Sequence, residues 1–180
     1  AGSWFSAKFS GEVIPTLEEL LMSVKGRITV NIEIKPESFE SPAVPDGIES
    51  QICEMVEKLD MVDSVLISSF EHSFFSRIQR WYRNQSKSTL PNIAPLQEVT
   101  LSEELALGLC SRQGAYSFHP DENFVTPSLI ETLKTDGFRI FPYTINKEKR
   151  MEQLIQWGVT GIISDEPELV WEVIRKLGVD

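Results

Sequence analysis

Basic charge, cysteine, histidine and long apolar runs are all scarce in this 180-residue chain, and each scarcity removes a class of function. With 17 Lys and Arg against 27 Asp and Glu, the formal net charge is −10. A general nucleic-acid binder needs a basic surface, so that role is excluded. An acidic protein that handles an anionic ligand must instead gather positive charge locally, as a metal ion or a placed Lys or Arg. The two cysteines, Cys53 and Cys110, make neither a disulfide framework nor a zinc site. Both are expected to be buried, reduced thiols. No apolar run reaches the ~18 residues of a membrane span. The first residue is Ala1 rather than Met, and no signal-peptide apolar stretch follows it. The expectation is a chain that starts after processing or truncation, and a cytoplasmic location. No Gly-x-Gly-x-x-Gly or P-loop follows any strand-like segment, which weighs against a nucleotide-binding doubly wound fold.

What the chain does contain is a regular alternation. Strand-like segments occur at residues 28–35, 64–70, 91–96, 115–119, 139–145 and 160–164. Helical patterns lie between them, and several carry recognisable ends. Thr16 with Glu19 forms a capping box ahead of LEELLMSV, with Gly26 as a stop. Thr126 followed by Pro127 predicts an N-cap with proline at the first helical position. Asn146 is expected to cap KEKRMEQLIQW, and Asp165 to cap the closing helix. Strands spaced by roughly 20 to 40 residues read as βα units around a parallel sheet. Polar groups gather at the carboxyl ends of those strands, as Glu33, Lys35, Ser68, Ser69, His119, Thr144 and Asn146. That placement is the mark of a (β/α)8 barrel, although a complete barrel takes ~250 residues. Six units rather than eight are visible, so one barrel domain over residues 1–180 is expected to lack two βα units.

The segment ITVNIEIKPE, residues 28–37, is the most informative. Its period-two alternation puts Glu33 and Lys35 on one face, roughly 6.6 Å apart along the strand. Both faces of a parallel sheet are normally covered, so a charged face must line the barrel mouth or pair internally. A carboxylate there suits a hard divalent cation, and the adjacent ammonium suits a phosphate oxygen. A structural ion pair is the alternative. One carboxylate does not hold Mg²⁺ or Ca²⁺, which take several oxygens. Asp165 could add a ligand, but a helix cap is the simpler role for it.

Only two histidines are present. His72 begins a helix and is expected to be an exposed first-turn residue. His119 closes the strand AYSFH and would face the mouth, where it could position or protonate a substrate oxygen; a hydrogen-bonded structural histidine is the other reading. Trp4, Phe5, Phe70 and Tyr143 lie at the chain start or at strand ends. Core packing is the default for each, and an apolar wall beside a phosphate pocket would also fit.

The ordered motifs GSWF, IPTLEELL, NIEIK, VLISSF, FHP, GFRIFPYTIN and WGVTGIISDEP together resemble the glycerophosphodiester phosphodiesterases along essentially the whole chain. The resemblance implies a (β/α)8 barrel of the phospholipase-C-like type, represented here by strands three to eight. It implies metal-dependent hydrolysis of a small glycerophosphodiester to an alcohol and glycerol 3-phosphate, with Mg²⁺ or Ca²⁺. Glu33 would be a metal ligand and Lys35 a phosphate contact, while Phe70, His119 and Tyr143 would line the substrate pocket. The family pattern begins with a His-Arg-Gly strand and a Glu-x-Asp strand that are not found in this sequence. The chain alone is therefore expected to be catalytically incomplete, and exposed sheet edges would favour self-association or a complementing amino-terminal segment. The alternative is an inactive homologue serving as a binding or interaction protein. A third possibility is a site rebuilt around Glu33, Asp165 and His119.

Overall fold

Successive βα units dominate the computed structural model, which describes residues 2–179. In chain order the elements are α1 (Leu17–Val24), β1 (Val30–Glu33), α2 (Ile48–Lys58), β2 (Val65–Ser69), α3 (Ser73–Asn84), β3 (Asn92–Gln97), α4 (Glu103–Gln113), β4 (Ser117–Pro120), α5 (Pro127–Thr135), β5 (Arg139–Ile140), α6 (Glu148–Trp157) and α7 (Pro167–Leu177). The strands form one sheet in the order β1-β2-β3-β4-β5, every neighbouring pair parallel. Helices returning between parallel strands are what a barrel-type α/β fold requires.

Local chemistry explains the helix starts. The Thr16 hydroxyl accepts from the Glu19 amide at 3.2 Å, and the Glu19 carboxylate accepts from the Thr16 amide at 2.8 Å. This reciprocal box satisfies two amides that the first turn would otherwise leave open. Thr126 caps α5 through the Leu129 amide at 3.1 Å, with Pro127 at the first helical position. Helix α4 is capped by Ser102 and closes on Gly114 at φ +64°, a left-handed position that glycine adopts without strain.

Two expected caps do not form. Helix α6 begins after Lys147 and α7 after Glu166, neither with a side-chain cap. The Asn146 amide group instead donates to the Asp165 carboxylate at 2.8 Å, and its oxygen accepts from the Asp165 amide and the Ser164 hydroxyl. These two residues fasten the β5–α6 connection to the segment before α7. The strand expected at 139–145 is cut to Arg139–Ile140, and the one expected at 160–164 does not form as a strand. The assigned strand stops at Ile140, and Pro142 has no amide to donate to a ladder. Residues 160–163 still run alongside: Thr160 N–H donates to the Ile140 carbonyl, Ile163 N–H to that of Pro142, and Ile145 N–H to that of Ile163.

Apolar residues gather in two clusters. One joins α1, α2 and α3 to β1 and β2 through Leu21, Ile52, Val56, Ile67, Phe74, Phe75 and Ile78. The other joins α4 to α7 with β4 and β5 through Leu109, Phe118, Leu133, Ile140, Met151 and Leu154. Both cysteines are buried, and burial raises each thiol to about 12. Trp4 and Phe5 are exposed and contact each other, and Phe5 also contacts Phe9. Among the described residues no helix is long and apolar enough to cross a membrane.

Candidate active site

The strand register decides which side chains share the carboxyl rim. Glu33 aligns with Ser68, Ser68 with Ala94, and Leu96 with His119. Beyond β5, Tyr143 bridges in parallel to Asp121, which extends the same rim. The residues expected from strand-end positions therefore sit along one edge of the sheet.

Glu33 and Lys35 are close together, with Lys35 Nζ 2.7 Å from Glu33 Oε1. The Glu33 side chain is 32% exposed and that of Lys35 67%. The hydrogen bond to Glu33, and then its charge, hold the Lys35 ammonium above the ordinary lysine value. The strand below them is firmly placed, because the Ile34 amide donates to the Ser68 carbonyl at 2.8 Å and the Ser69 hydroxyl donates to the Ile34 carbonyl at 2.7 Å.

Phe70 and Tyr143 form an edge-to-face pair, with centroids 5.8 Å apart and planes at 89°. The Tyr143 hydroxyl donates to the Gln97 carbonyl at 3.0 Å, which fixes the ring. Burial is the main cause that raises its phenol pKa, and the negative charges of Asp121, Glu98 and Glu33 add to it. Three carboxylates thus lie near this ring.

His119 lies deeper and is only 1% exposed. Its Nε2 is 2.9 Å from the Ser117 hydroxyl, and the ring stands edge-on to Phe141. Burial pushes the imidazole down to about 4, so it is neutral near pH 7. Its Nδ1 has no hydrogen-bond partner among the described residues, and neither does the Ser68 hydroxyl. His119 lines a cleft of about 350 Å³ with Thr29, Asn31, Asp63, Asn92 and Tyr116, which lie at or just before the amino ends of β1 to β4. Glu33, Lys35, Phe70 and Tyr143 are not among its walls. The structure therefore joins Glu33 with Lys35 and Phe70 with Tyr143, and sets His119 apart from them in a cleft toward the amino ends of the strands.

His72 departs from the expectation of an exposed residue. It is half-buried, with Nε2 3.0 Å from the Leu96 carbonyl and its ring stacked on Phe75. Ser117 was not singled out from the sequence, yet it lies two residues before His119 on one strand, and period two puts both on one face. Gln97 could not have been found that way, since it acts through its backbone carbonyl.

The fit to a divalent cation is partial. Glu33 presents one hard oxygen donor group, but the described residues contain no group of three His, Cys, Asp or Glu that could hold a metal. Asp165 is engaged with Asn146 and does not supplement Glu33. These residues alone do not complete a Mg²⁺ or Ca²⁺ site.

Fold and site together define an α/β protein of the barrel type, with its polar groups at the carboxyl rim of a parallel sheet. A model of the glycerophosphoryl diester phosphodiesterase family matches residues 1–169, and the chain belongs to that family. It is 34% identical over 179 residues to a glycerophosphodiester phosphodiesterase of Caldanaerobacter subterraneus, covering 99% of this chain and 69% of the relative. A glycerophosphodiester phosphodiesterase of Bacillus altitudinis is 30% identical, covering 86% of this chain and 60% of that one. Among solved structures, a glycerophosphodiester phosphodiesterase from Parabacteroides distasonis superposes with a TM-score of 0.75 at 22% identity, covering 93% of this chain and 67% of that one. An Oleispira antarctica phosphodiesterase, solved with its product sn-glycerol 3-phosphate, gives 0.70 at 18% identity, covering 96% and 66%. The chain thus spans about two thirds of the length of these proteins.

Proposed function

We propose that the chain supplies one part of the active site of a phosphodiesterase, which hydrolyses glycerophosphodiesters to an alcohol and glycerol 3-phosphate. The observation that carries this reading is the Glu33–Lys35 pair, 2.7 Å apart at the carboxyl rim of β1 in a member of this family. An exposed ammonium held beside a carboxylate can meet a phosphate oxygen and offset the negative charge that builds during displacement at phosphorus. Glu33 would contribute one ligand to a divalent cation, Mg²⁺ or Ca²⁺, with the other ligands coming from outside the described residues. Such an ion would supply Lewis-acid stabilisation of the phosphoryl group. The Phe70–Tyr143 pair would form an apolar wall for the substrate, and neutral His119 a hydrogen-bonding group for one of its hydroxyls.

The reading is tested with a chimera in which residues 1–180 replace the matching two thirds of the Caldanaerobacter relative. Release of glycerol 3-phosphate from glycerophosphocholine is measured with and without a chelator. We expect chelator-sensitive turnover that falls by roughly 100-fold or more in Glu33→Gln. The free 180-residue chain is expected to show little turnover. A folded chimera that is inactive, or one indifferent to Glu33→Gln, overturns the assignment.

A further inference from the structure

Lys35 leaves the end of β1 with an exposed side chain, and the sheet fixes only the residue before it. What fixes the residues after it lies on a different element. Ser38 N–H donates to the Lys35 carbonyl at 3.0 Å and Phe39 N–H to that of Pro36 at 2.9 Å, so a tight 3-10 turn, Pro36–Ser38, ties residues 38 and 39 back to residues 35 and 36. The Arg77 guanidinium from α3 stacks 4.0 Å over the Phe39 ring, and its Nη2 donates to the Glu40 carbonyl at 2.7 Å. Its Nη1 pairs with Glu49 Oε1 at 3.3 Å in the first turn of α2.

That carboxylate also lies close to Gly47 at the far end of the same loop. A Cβ on Gly47 would meet Glu49 Oε2 at 2.9 Å and Cδ at 3.2 Å, so a larger residue there would have to displace the Glu49 side chain. Phe39 in turn stands edge-on to the buried Phe74. One guanidinium therefore joins Phe39 and Glu40 to the first turn of α2, and the Arg77 and Glu49 side chains are only 11% and 8% exposed. A planar fork that bonds in two directions and stacks on a ring suits arginine and not lysine.

We propose that Arg77 is a positioning residue: by clamping the loop after β1 it fixes the backbone from which Lys35 extends, and so holds the Lys35 ammonium beside Glu33. The consequence for phosphate binding rests on the phosphodiesterase reading above, while the clamp itself does not.

The test uses the 180-residue chain with two measurements. The first is the NMR order parameter of the Lys35 side chain and the hydrogen exchange of amides 35–40, in wild type and in Arg77→Met. Both should loosen in the variant, with Lys87 as an unchanged internal control. The second is a double-mutant cycle for sn-glycerol 3-phosphate binding with Arg77→Met, Lys35→Ala and the pair. Arg77→Met should weaken binding roughly tenfold or more, Arg77→Lys should recover only part of it, and Arg77→Met should have no further effect once Lys35 is alanine. A general structural role would give additive losses, and additivity overturns the proposal. An ordered, unchanged Lys35 in a folded Arg77→Met protein also overturns it. If Arg77→Met does not fold, Phe39→Leu removes the stacking surface and leaves the ion pair, with the same outcomes expected. Failure of wild type to bind the phosphate, with Lys35 loosened in the variant, would withdraw the consequence for phosphate binding and keep the clamp.

Discussion

The two halves of the sheet treat polar groups in opposite ways. At the β1 end, Glu33 and Lys35 are paired and open to water. At the β4 end, His119 is almost wholly buried and neutral, with Ser117 as its neighbour. Burying a charge without full pairing is far more costly than burying a neutral hydrogen-bonding group. On the function proposed above, the open side would meet a phosphate and the buried side a hydroxyl. Each half also has its own apolar cluster, yet β2 and β3 run as one ladder between them.

That comparison can be broken at its largest scale by deleting a core ring in either half. Phe74→Ala and Phe118→Ala each remove a fully buried ring and should lower stability by about 3–5 kcal/mol. Urea unfolding followed by both fluorescence and circular dichroism should show one transition in each variant. A residual second transition would mean that the clusters fold separately. The next effect concerns the buried histidine. Its folded value of about 4 lies below the usual 6.5, so between those values the unfolded chain binds the extra proton. Stability should be unaffected above pH 6.5, fall as pH drops from 6.5 to 4, and level off below. The loss is on the order of 3 kcal/mol. Chemical denaturation across this range should show the slope, and His119→Gln should flatten it. The exposed half predicts the reverse pattern, with function lost and stability kept. Lys35→Ala should reduce sn-glycerol 3-phosphate binding roughly tenfold or more while changing stability by about 0.5 kcal/mol or less. Lys87→Ala, which breaks an ion pair to Glu57, should leave binding intact; equal effects would remove Lys35 from the site.

The parts of the molecule governed by neighbouring residues could be read from the sequence. The Thr16–Glu19 box and the Thr126–Pro127 start formed as expected, because each depends on residues within one turn. The adjacency of Glu33 and Lys35 followed from period two alone. Asn146 and Asp165 were misread as caps because each meets the other 19 residues away, and only the tertiary path of the chain brings them together. The burial of His72 is another case, since its partner is a backbone carbonyl on the next strand. Arg77 and Glu49 are 28 residues apart, and no local pattern announces their contact. Long-range pairs between polar residues leave almost no periodic trace, whereas apolar periodicity and capping do.

The strand order β1-β2-β3-β4-β5 follows the order of the chain without exception. Each strand therefore finds its partner in the very next unit, and no pairing must wait for a distant part of the polypeptide. Loop closure stays short at every step, and assembly can proceed as a growing row from any starting pair, much as in a repeat array. A row built this way can accept another unit at either end without rearranging those already in place.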